Sequence, residues 1–182
     1  MSITAPAGFT AAGVAAGLKS TGAKDVALVA NQGPTFDSAT VFTANRCQAN
    51  PILWSKEVVK DGTVRAVVIN SGGANCYTGA EGFQTTHATA ERVADHLGIG
   101  AIDVVVCSTG LIGMLNDRDD LLAGDVDVLG QVDDPSMGPA DRPALPGVLH
   151  QRQQRVTQIR LAHHVLPPEE EQDALVGIDD GP

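Results

Sequence analysis

A mixed α/β fold is what this sequence predicts, on three observations. Short β-branched runs recur between glycine turns, one long segment carries helical periodicity, and the apolar runs lack the polar alternation of a one-sided sheet. Ala66-Val67-Val68-Ile69 and Val104-Val105-Val106 are the plainest of these runs, and both read as strands covered on two faces.

Strands are expected at 26–30, 41–43, 65–70 and 103–107, each bounded by turn residues. Asp61-Gly62 is the turn signal that leads into the third. Between the last two, residues 81–97 place Phe83, Ala90, Val93, Ala94 and Leu97 on one helical face. Thr78 and Gly79 serve as the entry to that helix, and Gly98 supplies a left-handed stop. A weaker helix is expected from Asp119 into Leu122. The character then changes at Gly124. Seven of the ten prolines follow it, no lysine occurs after Lys60, and neither period 2 nor period 3.6 is sustained. The expected division is a folded domain over 1–124 and a divergent Pro- and acid-rich tail over 125–182.

With 182 residues, the chain suits one domain that buries roughly 70% of its unfolded surface. A net charge of −10 argues against a nucleic-acid partner, which needs clustered Lys and Arg. Three cysteines (Cys47, Cys76, Cys107) without C-x-x-C spacing suggest reduced thiols rather than a disulfide framework or a zinc site. The N-terminus lacks a basic region followed by an apolar run, and no stretch reaches the roughly 20 apolar residues of a membrane span. A soluble, cytoplasmic protein with no membrane partner is expected.

Two loops could carry chemistry. Asn70-Ser71-Gly72-Gly73-Ala74-Asn75 leaves a buried strand ahead of the long helix, where polar side chains and uncovered backbone can hold an anion or a carbonyl. The plainer alternative is a strand-to-helix connection that uses glycine for its turn. It is not a Walker loop, because the closing Gly-Lys-Ser/Thr is missing. Ser108-Thr109-Gly110 also leaves a buried strand. There the Thr109 hydroxyl and the Gly110 N–H suit an oxyanion hole, while the plainer reading makes Thr109 a local cap to the turn. Two such loops favour a shared site, because sheet ligands gather at strand ends.

Rival constellations are weaker. Cys107 or Cys76 with His87 could form a nucleophilic pair, but Cys107 reads as a small hydrophobe closing a strand and His87 as part of an exposed helix face. His163-His164 before Glu169-Glu170-Glu171 has metal-ligand chemistry but the setting of a solvated segment, so no metal site is assigned. Gly13-Val14-Ala15-Ala16-Gly17 is only faintly like a nucleotide-binding loop, and no apolar strand is read before it.

Over about residues 4–124 the sequence resembles the N-terminal half of the bifunctional ornithine acetyltransferase / N-acetylglutamate synthase family. Thr4-Ala5-Pro6-Ala7-Gly8-Phe9, Asp25-Val26-Ala27-Leu28-Val29, Val41-Phe42-Thr43-Ala44-Asn45 and Ala49-Asn50-Pro51-Ile52-Leu53 carry part of the likeness. Its most specific pieces are 65–75 with Thr78-Gly79, and Ser108-Thr109-Gly110-Leu111-Ile112-Gly113; Leu121-Leu122-Ala123-Gly124 also fits. The resemblance implies the fold shared with self-processing aminopeptidases, two stacked mixed sheets between helical layers, here incomplete. It also implies a precursor that cleaves itself before an internal threonine into an α and a β chain in an α2β2-type assembly. That threonine attacks the acetyl group of N2-acetylornithine and passes it to glutamate. No cofactor is implied, though some members accept acetyl-CoA as a donor. The family's oxyanion pair falls on Thr109 and Gly110.

One departure accompanies the likeness. The family continues with a helix, a threonine-rich strand, a substrate-binding lysine and a Lys-Gly-x-Gly-Met-type segment ahead of the nucleophilic threonine. None of these is read after Gly124, where the sole threonine is Thr157, in Val156-Thr157-Gln158-Ile159. Three explanations stay open: a frameshifted or truncated product, an α-like subunit whose nucleophile comes from a separate chain, and a non-enzymatic relic that keeps the fold as a binding module.

Overall fold

The structure is a computed structural model in which residues 3–132 are described. Its strands are β1 (Phe9–Val14), β2 (Val26–Asn31), β3 (Ala66–Gly73) and β4 (Val104–Leu111), and its helices α1 (Asn50–Val58), α2 (Gly79–Leu97) and α3 (Arg118–Val132). Short 3-10 turns at Val59–Asp61 and Ala101–Asp103 close α1 and lead into β4. The strands form one mixed sheet in the order β1-β2-β3-β4. The first two pairings are antiparallel and β3 with β4 is parallel. A parallel pair needs a long crossover, and α2 supplies it.

The mixed α/β expectation holds in its main elements. The strands read at 26–30, 65–70 and 103–107 correspond to β2, β3 and β4, within the usual uncertainty of element ends. The strand expected at 41–43 does not form. Val41 is 97% exposed, and the nearest pairing in its loop is an isolated bridge between Asp37 and Thr63. Three β-branched or aromatic residues without a partner strand have no ladder to join. Phe42 instead lies under the Lys56 ammonium, 5.8 Å from the ring centre.

Two elements went unread in the sequence. Thr-Ala-Ala-Gly is a weak strand signal, yet β1 forms because its register against β2 runs unbroken from Phe9↔Asn31 to Val14↔Val26. Gly13 is therefore a strand residue. Helix α1 is only nine residues long, too short for periodicity to stand out, although Pro51 in its first turn is a start signal. Helix α2 ends as expected: Gly98 takes φ +63°, and the Ile99 amide donates to the Ala94 carbonyl at 3.0 Å. Helix α3 is longer than the 119–122 expected. The Asp117 carboxylate caps it by accepting from the Asp119 and Asp120 amides at 2.9 and 3.0 Å. It runs through Gly124, where an added Cβ would stand 2.3 Å from that of Ala16.

Register separates the two faces of the sheet. Val14, Val26, Leu28, Ala66, Val68, Val104 and Val106 share one face, fully buried with Trp54, Val93, Leu121 and Leu129 from the helices. Ala27, Val29, Val67, Ile69 and Cys107 share the other face and are half-buried. Helix α1 closes the outer edge of β4. Trp54 Nε1 donates to the Val104 carbonyl at 3.0 Å, and the Ser55 hydroxyl donates to the Val106 carbonyl at 2.9 Å while accepting from its amide at 3.2 Å. Side chains thus replace the missing neighbour strand. Among the described residues no helix is long and apolar enough to cross a membrane.

Candidate active site at the ends of the central strands

The two loops singled out in the sequence are not separate turns. They are the paired ends of β3 and β4, in parallel register with Asn70 opposite Ser108, Ser71 opposite Thr109, and Gly72 opposite Gly110. The Ser108 hydroxyl donates to Asn70 Oδ1 at 2.6 Å and bolts the two strands together on the helix-covered face. Thr109 belongs to the opposite, open face and is exposed. Alternate residues of a strand aim their N–H and C=O groups to the same side. The alternation that turns the backbone of Val104 and Val106 toward α1 turns that of residues 108 and 110 toward the same edge.

Glycine is required here by space. Gly110 has φ +128°, and a Cβ on it would stand 2.0 Å from the Gly72 carbonyl oxygen. One on Gly73 would stand 2.4 Å from the Met114 carbonyl oxygen. Asn116 fixes this corner: its Oδ1 accepts from the Gly73 amide at 2.6 Å, and its Nδ2 donates to the Gly73 carbonyl at 3.2 Å. The side chain acts as a one-residue substitute for a paired strand. Nothing in the local sequence around Asn116 signals this role, because its partner lies 43 residues away.

A second asparagine network anchors the start of α2. Asn75, held at φ +52°, donates to the Gly82 carbonyl at 2.8 Å and to the Thr86 hydroxyl at 2.9 Å. Asn50 at the start of α1 reaches the Thr78 hydroxyl at 2.9 Å and the Asn75 oxygen at 3.3 Å. Thr78 thus serves the helix entry through Asn75 rather than by capping it directly. The Gly113 amide donates to the Cys76 carbonyl at 2.8 Å and ties the loop after β4 to this network. Leu111 and Ile112 stand exposed beside it at 66% and 68%.

The rival nucleophiles fare differently from their sequence reading. His87 is buried, its ring 5.0 Å from that of Trp54 and its Nε2 3.7 Å from Glu91 Oε1. The expectation of an exposed helix face is corrected: α2 is wedged between α1 and α3, so its Thr85, Thr86, His87 and Thr89 side is covered as well as its apolar side. Cys107 packs half-buried against the core, and burial pushes its thiol up, which favours the protonated form. Cys76 is buried and Cys47 exposed, with the Tyr77 hydroxyl against the Cys47 thiol. Among the described residues no group of three or more His, Cys, Asp or Glu is placed to hold a metal. Thr157, His163, His164 and Glu169 to Glu171 lie outside the described residues.

Known proteins resemble this chain in sequence and in fold. Residues 10–141 match the model of the ArgJ family. The arginine biosynthesis bifunctional protein ArgJ of Streptomyces coelicolor is 59% identical over 132 residues, which cover 72% of this chain and 34% of that protein. Its counterpart in Mycobacterium tuberculosis is 58% identical over 127 residues, 67% of this chain and 31% of the relative. This chain therefore spans about a third of the length of the curated relatives it matches. Among solved structures, ornithine acetyltransferase from M. tuberculosis complexed with ornithine superposes with a TM-score of 0.71 at 52% identity, over 77% of this chain and 75% of that one. The ArgJ bifunctional protein of Bacillus halodurans gives 0.65 at 32% identity, over 69% and 65%. With most of its described residues inside that match, the chain belongs to the ArgJ family.

Proposed function

We propose that this chain supplies the oxyanion-binding half of an acetyltransferase that moves acetyl from N2-acetylornithine to glutamate in arginine biosynthesis. The observation that carries the reading is the parallel register of β3 and β4, with Thr109 and Gly110 at the open corner of the edge strand. A threonine hydroxyl from a complementary chain attacks the acetyl carbonyl, whose oxygen becomes negative in the tetrahedral intermediate. The Thr109 hydroxyl and Gly110 N–H donate to that oxygen and stabilise it. Collapse breaks the C–N bond, expels the ornithine amine, which gains the proton the threonine hydroxyl has lost, and leaves an acetyl ester. The glutamate amine then attacks the ester through a second intermediate held by the same donors, and the C–O bond breaks to return a protonated threonine hydroxyl and N-acetylglutamate. Preorganisation comes from below. The Asn70–Ser108 bond and the Asn116 clamp hold the strand ends without using either proposed donor.

The division of labour has two supports. No lysine follows Lys60, and Thr157 has no glycine before it. The solved M. tuberculosis chain is covered to 75%, whereas the curated relatives are covered to about a third, as a two-chain enzyme would give. On this reading the folded part of the chain, which α3 carries past the expected boundary at 124, acts as the α-chain-like domain of an α2β2-type assembly in the cytoplasm, no cofactor is needed, and acetyl-CoA is an additional donor. The purified chain should transfer no acetyl from N2-acetylornithine to glutamate, and addition of a complementary β chain should restore transfer. Turnover by the chain alone would overturn the claim that the nucleophile comes from elsewhere. Co-purification with a β chain without any catalytic gain would favour the second reading, an inactive module that pairs with an intact family member.

A further inference from the structure

Behind the strand ends, between the sheet and helix α2, lies a cavity of about 10 Å³, the room of roughly one water molecule, with Val106, Leu115 and Leu121 as its apolar wall. Asn70 and Ser108 line it from the sheet and Thr85, Thr86 and Thr89 from the helix, with Asn116 beside them. Asn70 is 2% exposed. Its amide oxygen accepts the Ser108 hydroxyl, and its amide nitrogen has no acceptor. Turning the amide over does not remove the deficit. The nitrogen would then meet Ser108, and the oxygen would be left without a donor.

The hydrogen-bond inventory of the wall specifies its ligand. Ser108 spends its only hydroxyl proton on Asn70, Thr85 spends its own on the Glu81 carbonyl, and Thr86 on the Gly82 carbonyl. Their remaining lone pairs can only accept. Asn70 Nδ2 can only donate. A metal cation would face that N–H, and a halide would face the lone pairs of Ser108, Thr85 and Thr86, so neither suits the wall; the Thr89 hydroxyl, beside Asp125, can donate or accept. An organic group of two or more heavy atoms exceeds the space. The ligand must be small and must both donate and accept.

We infer that this cavity is a hydration site for a single water molecule, which accepts from Asn70 Nδ2, donates to hydroxyl oxygens of the wall and ties the end of β4 to helix α2. Buried polar groups that protein atoms do not reach are characteristically satisfied in this way. The placement has a mechanical consequence. Ser108 directly precedes Thr109, so the water steadies the strand end from the helix face and leaves the open face free for Thr109.

A crystal structure of the chain at about 1.5 Å should show one density peak inside the cavity, roughly 2.7–3.2 Å from Asn70 Nδ2. A cavity without density overturns the inference. So does a peak about 2.3–2.6 Å from several oxygens, which is the spacing of a cation. In solution, the side-chain amide protons of Asn70 should show a rotating-frame NOE to water with the sign of a long-lived contact. Its absence from an assigned, well-resolved Asn70 resonance would overturn the inference independently of crystals.

Discussion

Asp125 sits on α3 with no exposure at all. Burial pushes its carboxyl up from its ordinary 3.8 to about 7, while the Thr89 hydroxyl and the Arg92 charge draw it partly back. The fold therefore favours the protonated acid. Its stabilising contribution is complete below the unfolded value, is lost as pH rises from about 4 to about 7, and stays flat above. The loss amounts to roughly 1.4 kcal/mol for each unit of that window. Asp125→Asn should accordingly flatten the fall of Tm between pH 5 and pH 8 and raise Tm at pH 8. Parallel Tm–pH curves for the two proteins would show that Asp125 is not the group responsible. Thr109 offers the matching test of chemistry. With the complementary chain present, Thr109→Ala should lower kcat by about 10²–10³, the usual cost of one oxyanion donor. A drop below tenfold would leave Thr109 as a turn cap. Gly110→Ala is a poorer probe, because its Cβ would collide with the Gly72 carbonyl before any chemistry was tested. Both residues of the proposed pair stood out as candidates from their place after an apolar run, and their assignment as a pair came from the family resemblance. Asp125 and Asn116 were not, since their roles depend on neighbours far along the chain.

At the scale of elements, the edge of β4 depends on α1. One buried hydroxyl, that of Ser55, satisfies both the amide and the carbonyl of Val106. Ser55→Ala leaves two buried backbone groups unpaired and should cost about 2–3 kcal/mol in urea unfolding. A loss under about 0.5 kcal/mol would mean that water or a shifted backbone replaces the hydroxyl. Helix α2 was the most legible element, because seventeen expected residues gave its period room to repeat and Gly98 marked its end. Its polar flank was misjudged for a physical reason. Threonine and histidine on a helix read as solvent-facing unless other elements cover them, and here α1 and α3 do. Helix α3 was read as four residues because Gly124 and Gly130 interrupt its propensity; packing of Leu121, Val128 and Leu129 into the core sustains it.

The whole molecule presents a sheet with unequal faces. One is sealed by helices, while Ala27, Val29, Val67, Ile69 and Cys107 on the other stay half-buried, with exposed Leu111 and Ile112 at the same end as Thr109. Strands rich in valine without polar alternation suit a sheet covered on both sides. On the proposed two-chain reading, the complementary chain covers this open face. The chain alone should self-associate, and size-exclusion chromatography with light scattering should give a mass above the monomer that falls when a β chain is added. A strictly monomeric chain at tens of micromolar would count against an uncovered face.

The sequence by itself determined the mixed α/β class, three of the four strands among the described residues, helix α2 and the family, because β-branched runs, helical period and glycine-marked loops are local patterns. Only the tertiary structure decided that the two glycine loops are one parallel strand pair, that Asn116 clamps them, and that Asn70 turns its amide into a water-sized cavity. Those relations join residues about 40 positions apart. No local period or propensity records them, because they arise only when a crossover helix returns the chain alongside itself.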